Sequence, residues 1–189
     1  MDTLLKFIRS LTPFSDESWD LLQPALTKKN FKKHAYLLRD GQVCRSLYFI
    51  EKGYCRSCYT VNGVVKNTGF FFEGTIATNI SSFGSGAPSE YSIIACEPLW
   101  ATLFDKQLLT AAGKQSPEIE TLGRHCIRLF ASRQERFATL FTLYTAAERL
   151  QYLETHYPFM LQRIPLMQLA SFLGVTRETL SRIRNRRRQ

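Results

Sequence analysis

The feature that most constrains this chain is a change of period at Pro117. Ahead of it, short apolar runs are cut by glycine-bearing turns; behind it, apolar residues step by three and four without interruption. Seven of the ten glycines lie between Gly41 and Gly86. The runs Ala35-Tyr-Leu-Leu38, Leu47-Tyr-Phe-Ile50, Gly69-Phe-Phe-Phe72, Ile93-Ile-Ala95 and Trp100 to Phe104 are separated by pairs such as Asp40-Gly41, Lys52-Gly53 and Asn62-Gly63. Strands spaced in this way predict an antiparallel roll, barrel or sandwich. Asn62-Gly63, set between Tyr59-Thr-Val61 and Val64-Val65, is the clearest hairpin, because a two-residue loop needs residues that tolerate a left-handed backbone. The first thirty residues read as helical. Leu4, Leu5, Ile8 and Leu11 share one face, Pro13 ends that segment, and Ser15 caps a second helix expected from Asp16 to Leu26.

Behind Pro117, the positions Ile119, Leu122, Cys126, Leu129, Arg133, Phe137 and Leu140 form a heptad-like stripe. A helix of that length must bury its stripe, either on its own roll or on a second copy of itself. The second copy is the economical choice and gives a symmetric homodimer, with Ile119, Leu122, Cys126, Leu129, Arg133 and Phe137 as the seam. Another helix, about Ala146 to His156, stops before Pro158. The expected organisation is therefore α+β: a roll with N-terminal helices over 1–115, a long dimerisation helix over 116–140, and a helical domain over 141–189.

Charge follows the same division. Residues 116–189 carry 12 basic side chains, all arginine, against 6 acidic ones, and six of those arginines fall between Arg177 and Arg188. The formal net charge of +9 favours nucleic acid or an anionic surface as partner. Pro165 suits a first helical turn, and Leu166, Leu169, Ala170 and Leu173 make one buried face. Gly174 stands where a helix exit turns left-handed, Thr176 caps a new helix, and Leu180 with Ile183 bury its inner side. Two short helices joined in this way predict a helix-turn-helix. The outer face then bears Arg177, Glu178, Ser181 and Arg182, the expected base contacts. An arginine donates two hydrogen bonds to guanine O6 and N7, and a glutamate accepts from cytosine N4. Thr176, Arg184, Arg186, Arg187 and Arg188 are the expected phosphate contacts, which supply affinity without sequence information. A merely solvated charged face explains neither the absence of lysine nor the Arg-Glu-x-x-x-Arg pattern behind a turn.

Over nearly its whole length the chain resembles bacterial transcription factors of the cyclic-AMP receptor protein/FNR (Crp-Fnr) family. Gly41 and Leu47-Tyr-Phe-Ile-Glu-Lys-Gly53 resemble a strand and turn of that family's cyclic-nucleotide-binding β-roll, a jelly roll. Phe70-Phe-Phe-Glu-Gly74 resembles the start of its ligand cassette, and Val175-Thr-Arg-Glu-Thr-Leu-Ser-Arg182 its recognition helix. The resemblance implies a dimer that reads a palindrome in double-stranded DNA through Arg177, Glu178 and Arg182. It also admits RNA polymerase and a small-molecule effector as further partners. The chain stops soon after the recognition helix, which leaves little for a C-terminal wing.

The cassette departs from the pattern. Members that bind a cyclic nucleotide present a Gly-Glu pair for the ribose and an Arg-Ser/Thr pair for the phosphate. Here Thr75 follows Gly74, the later segment reads Pro88-Ser-Glu-Tyr-Ser-Ile93, and no lysine or arginine stands between Gly74 and Asp105. A buried cyclic phosphate would lack a counter-charge, and Glu90 would repel it. Cyclic AMP and cyclic GMP are therefore not expected to bind in the family's manner. Phe72, Gly74, Thr75, Ser89, Glu90 and Tyr91 remain the candidate pocket for another ligand. The surrounding aromatics, among them Phe49, Tyr59, Phe70, Phe71, Phe83 and Trp100, more often build a core.

Other classes find less support. The chain carries neither an apolar run long enough to cross a membrane nor a signal peptide, and five irregularly spaced cysteines suit a reducing cytoplasm. His34, His125 and His156 are far apart, and Cys55-x-x-Cys58 lacks a second pair, so no metal and no cofactor are expected. The family's oxygen sensors hold an iron–sulfur cluster on N-terminal cysteines, whereas the first cysteine here is Cys44. No nucleophile–base order, paired carboxylates or phosphate loop indicates an enzyme. The alternatives are a ligand-binding or scaffold module with a vestigial helix-turn-helix, and a thiol redox sensor using Cys55, Cys58 or Cys126.

Overall fold

A computed structural model describes residues Thr3–Arg186. The chain forms two compact units, Met1–Tyr59 with Gly69–Phe130, and Thr60–Thr68 with Ala131–Gln189.

The first unit is an antiparallel roll dressed with helices. Its strands are β1 (Leu26–Phe31), β2 (Tyr36–Leu38), β3 (Ser46–Lys52), β4 (Cys55–Val61), β5 (Val64–Phe71), β6 (Ile76–Ala77), β7 (Ser92–Ala95) and β8 (Leu99–Asp105). They form two four-stranded sheets, ordered β1-β8-β3-β6 and β2-β7-β4-β5. The helices are α1 (Thr3–Leu11), α2 (Asp16–Leu22), α3 (Ile80–Ser85), α4 (Lys106–Gly113) and the first part of α5 (Pro117–Leu143). Strand β3 shows why its sequence is continuously apolar. Leu47 and Phe49 pack outward with Leu4 and Ile8 of α1, while Tyr48 and Ile50 pack inward with Ile93, Leu99 and Ala101. A strand covered on both faces has no polar alternation.

Ser15 caps α2 as expected, accepting from the Ser18 N–H. That helix stops at Leu22, however, short of the expected Leu26. Pro24 sits in a 3-10 turn, and Leu26 already opens β1. Strand β1 was not legible, since Thr27 through Asn30 are polar and exposed. It is an edge strand, held by β8 from the pair Leu26 with Phe104 to Phe31 with Leu99.

The long helix needs a larger correction. Ile119, Leu122 and Cys126 are buried in the first unit's own core, beside Leu4, Leu5 and Ile8. The stripe is therefore not one dimer seam: its front half covers the chain's own roll. Period alone states that a face is buried, not what covers it. On the same stretch of α5, Ile127 and Leu129 are exposed. The helix also runs on to Leu143, and the division between the units falls inside it.

The second unit holds the rest of α5, then α6 (Ala146–His156), α7 (Pro158–Arg163), α8 (Leu166–Leu173) and α9 (Arg177–Arg186). Thr145 and Glu148 cap α6 reciprocally. Leu150, Leu153, Leu169, Leu173 and Leu180 are fully buried. Phe137, expected at the seam, instead sets its ring edge-to-face against Phe172 of α8 at 5.7 Å, and the Arg133 guanidinium lies over the Phe137 ring. The hairpin tip Thr60–Thr68 belongs to this unit too. Asn62 and Gly63 both take positive φ, 52° and 77°, as a two-residue loop requires.

Candidate nucleic-acid interface and sensor site

The α8–α9 pair is built from its turn. Gly174 ends α8 at φ 75°, ψ 28°. Its N–H donates to the Ser171 carbonyl and the Val175 N–H to the Ala170 carbonyl, so the last carbonyls of α8 are satisfied by a left-handed exit. Thr176 then caps α9, its Oγ1 accepting from the Thr179 N–H at 3.2 Å. Leu180 pins the inner side of α9, which leaves Arg177, Glu178 and Arg182 exposed and Ser181 half-buried. Arg182 Nη2 donates to Thr179 Oγ1 at 3.2 Å. The Glu178 carboxyl is held below the usual carboxylate range, first by its own backbone N–H, then by the Thr176 hydroxyl and the charges of Arg177 and Arg182. It is thus an anion between two cations on one helical face. Arg184 is half-buried and Arg186 exposed, while Arg187 and Arg188 lie outside the described residues.

Two further contacts secure this pair, and neither was read from the sequence. The Arg149 guanidinium of α6 donates to three carbonyls: Leu173 at 3.1 Å, Phe141 at 2.7 Å and Leu140 at 3.3 Å. It thereby joins the ends of α5 and α8. On the other flank the hairpin clamps α8. Asn67 Nδ2 donates to the Gln168 carbonyl and the Asn67 N–H to Ser171 Oγ, both at 3.0 Å. Ser171 Oγ donates in turn to the Val65 carbonyl at 3.1 Å. Asn67 is buried, so these bonds replace water.

In the first unit, the candidate pocket residues serve one another. Gly74 takes φ 73° and donates to the Ile50 carbonyl at 2.9 Å, and the Thr75 hydroxyl donates to the Phe72 carbonyl at 2.7 Å. Phe72 stacks on Tyr54 with ring centroids 4.9 Å apart. Ser89 Oγ accepts from Asn79 Nδ2 at 2.8 Å and donates to the Tyr91 carbonyl, and the Tyr91 hydroxyl donates to the Thr78 carbonyl. Glu90 is exposed, and its charge, after burial, helps raise the Tyr59 phenol above its ordinary value. Glu73, which precedes Gly74, accepts from the Gly53 N–H at 2.7 Å.

All five cysteines are buried thiols. Burial pushes the Cys58 thiol up, Cys96 to about 12 and Cys126 to about 11, which opposes thiolate chemistry. Cys55 and Cys58 both lie within β4. Among the described residues, no group of three His, Cys, Asp or Glu side chains is placed to hold a metal ion, and no helix is long and apolar enough to cross a membrane.

Residues 28–116 match the cyclic nucleotide-binding domain family. No curated protein sequence matches the chain. Solved structures do. The c-di-GMP responsive global regulator CLP of Xanthomonas campestris is 14% identical, with 92% of each chain covered and a TM-score of 0.70. A cyclic nucleotide-binding domain-containing protein of Listeria monocytogenes is 18% identical over 98% of this chain and 90% of that one, with a TM-score of 0.69. FixK2 of Bradyrhizobium japonicum is 18% identical over 85% and 83%, with a TM-score of 0.68. The chain therefore carries the fold of a cyclic nucleotide-binding roll, and it shares that fold with the global regulator CLP and with FixK2.

Proposed function

We propose that this protein is a DNA-binding transcriptional regulator of the Crp-Fnr type rather than an enzyme, working in the cytoplasm as a homodimer on a palindromic site. The observation that carries the reading is the exposed trio Arg177, Glu178 and Arg182 on the first turns of a helix fixed by Gly174, Thr176 and Leu180. The first turns of such a helix reach base edges in the major groove. Arg177 and Arg182 would donate to guanine and Glu178 would accept from cytosine, with Ser181 beside them. Thr176, Arg184 and Arg186, together with Arg187 and Arg188, would hold phosphates. The front half of α5 is occupied by its own roll, so Leu129 with the neighbouring exposed Ile127 is the better candidate for a contact between copies. RNA polymerase would be a further partner at promoters.

The roll acts in this reading without a conventional cyclic nucleotide. The segment from Gly74 to Asp105 carries no cation, and the hydroxyls of Thr75, Ser89 and Tyr91 are spent on backbone carbonyls. The test is selection from a random duplex pool with purified protein at near-physiological salt, beside Arg177→Ala and Arg182→Ala. A palindrome with guanine in each half-site, lost in both variants, is the expected result. Enrichment of nothing, from buffer and from cell extract alike, would mark the helix pair as vestigial.

A further inference from the structure

The first unit carries a half-open cavity of about 690 Å³ that is distinct from the cassette. Helix α3 stands between the two. On the cassette side, Asn79 and Ser82 bond to Ser89 and to the Ala87 carbonyl; on the other side, Ile80, Phe83 and Gly84 line the cavity. The remaining walls are α1, the outer faces of β3 and β8, Ile76 of β6, α4 and α5, contributing Phe7, Leu47, Phe104, Leu109 and Phe130 among others. The size falls within the range of about 300 to 1,000 Å³ common for small-molecule sites. A wall so apolar offers water few partners.

The polar side chains of the lining are few: Thr110, Lys114, Glu120 and Arg124. Lys114, just past the end of α4, and Arg124 with Glu120 on α5 carry the charge. Glu120 is already paired with Arg124, so Lys114 is positive charge in surplus. At the α3 end, Lys106 Nζ donates to the Gly84 carbonyl at 3.1 Å and lies over the Phe83 ring at 5.4 Å. An apolar chamber with a positive mouth fits one kind of molecule: a hydrocarbon tail with an anionic head.

We propose that this cavity binds a long-chain carboxylate, with its tail among Phe83, Leu109 and Phe130 and its head at Lys114 and Arg124. The proposal concerns binding alone and stands whether or not α9 reads DNA. Dodecanoate, dodecanol and dodecylammonium, titrated by calorimetry into the full chain, share a tail and differ in head charge. Dodecanoate should bind once per chain and most tightly, and dodecylammonium least. Lys114 is exposed, so Lys114→Gln should weaken dodecanoate by up to about five-fold, the upper end for an exposed ion pair, and leave dodecanol unchanged.

Gly123 supplies the second variant. It lines the cavity from α5 with open space where a Cβ would stand, and its φ is ordinary for a helix. Gly123→Leu should fold at least as stably, because glycine is a poor helix former, and should abolish binding of all three probes. Absent binding of dodecanoate, equal affinity for the three heads, or unchanged binding in Gly123→Leu would each overturn the proposal. So would an altered sedimentation of Gly123→Leu when wild type binds no probe, since that marks the groove as a contact between copies.

Discussion

Arg149 donates from Nη1 to the carbonyl of Leu173 at 3.1 Å, at the residue where α8 gives way to the turn that aims α9. The same guanidinium reaches Phe141 and Leu140 at the end of α5, so one planar fork closes two helix ends that would otherwise leave carbonyls unpaired. Its plane also lies over the Phe141 ring at 4.8 Å. Arg149→Ala should cost about 2 kcal/mol in denaturant unfolding, the range of hydrogen bonds to a charged group. Arg149→Lys should recover little, since one ammonium cannot span three carbonyls on two helices. Full recovery by lysine would reduce the residue to a point charge.

The hairpin clamp makes a separate prediction. Asn67→Ala removes the donor to the Gln168 carbonyl and leaves that acceptor inside the second unit, at a cost of about 1–3 kcal/mol. Hydrogen exchange should speed up in Thr60–Thr68 and in α8 together. Faster exchange in the hairpin alone would show that the clamp does not hold the helix.

The contrast among these elements shows which signals a sequence carries. Asn62-Gly63, Ser15, Gly174 and Thr176 were legible because each meets a local backbone need: a positive φ or an unpaired N–H. Strand β1 was not, because Thr27 to Asn30 owe their extended form to β8, which lies some seventy residues on. The spacing of Ile119, Leu122 and Cys126 points to a seam because it reports that a face is buried and says nothing of its cover. Arg149 and Asn67 bond mainly to backbone carbonyls, groups that every residue owns, so nothing in their neighbourhood of the sequence singled them out.

Glu118 ties the N-terminus of α2 to that of α5, its Oε2 accepting from both the Ser15 N–H and the Ser15 hydroxyl at 2.8 Å. The backbone bond from Ser15, followed by the Ser18 and Ser15 hydroxyls, lowers its pKa below the ordinary 4.5. As pH falls through that ordinary value, the unfolded chain takes up this proton before the folded one, and stability drops. The stabilisation is therefore fully present above the unfolded value and lost as pH falls through the folded one. Glu118→Gln should be less stable than wild type at neutral pH and should converge with it in acid. Parallel pH curves for the two proteins would remove Glu118 from the acid limb.

Cyclic AMP should produce neither a calorimetric heat of binding nor a rise in melting temperature. Any ligand that binds the folded state alone must raise it. Thr75→Glu, which restores the Gly-Glu order, should not suffice by itself, because the phosphate would still meet no cation between Gly74 and Asp105. Tight binding by wild type would mean that a cation from elsewhere in the chain serves the phosphate.

Arg182 and Arg186 make the sharpest test of how α9 meets DNA, because both are exposed and they lie on one helix, yet they are assigned different work. A base contact carries sequence preference, whereas a phosphate contact carries counterion release. Arg182→Ala should cost about 1–3 kcal/mol on the selected palindrome and flatten discrimination at one base pair per half-site. Arg186→Ala should weaken all duplexes alike and lower the slope of log affinity against log salt by about 1 per helix bound. The two effects separate cleanly when affinity is measured for matched and mismatched duplexes across a salt series. If Arg182→Ala changes only the salt slope, the residue holds phosphate, and base reading falls to Arg177 and Glu178 alone.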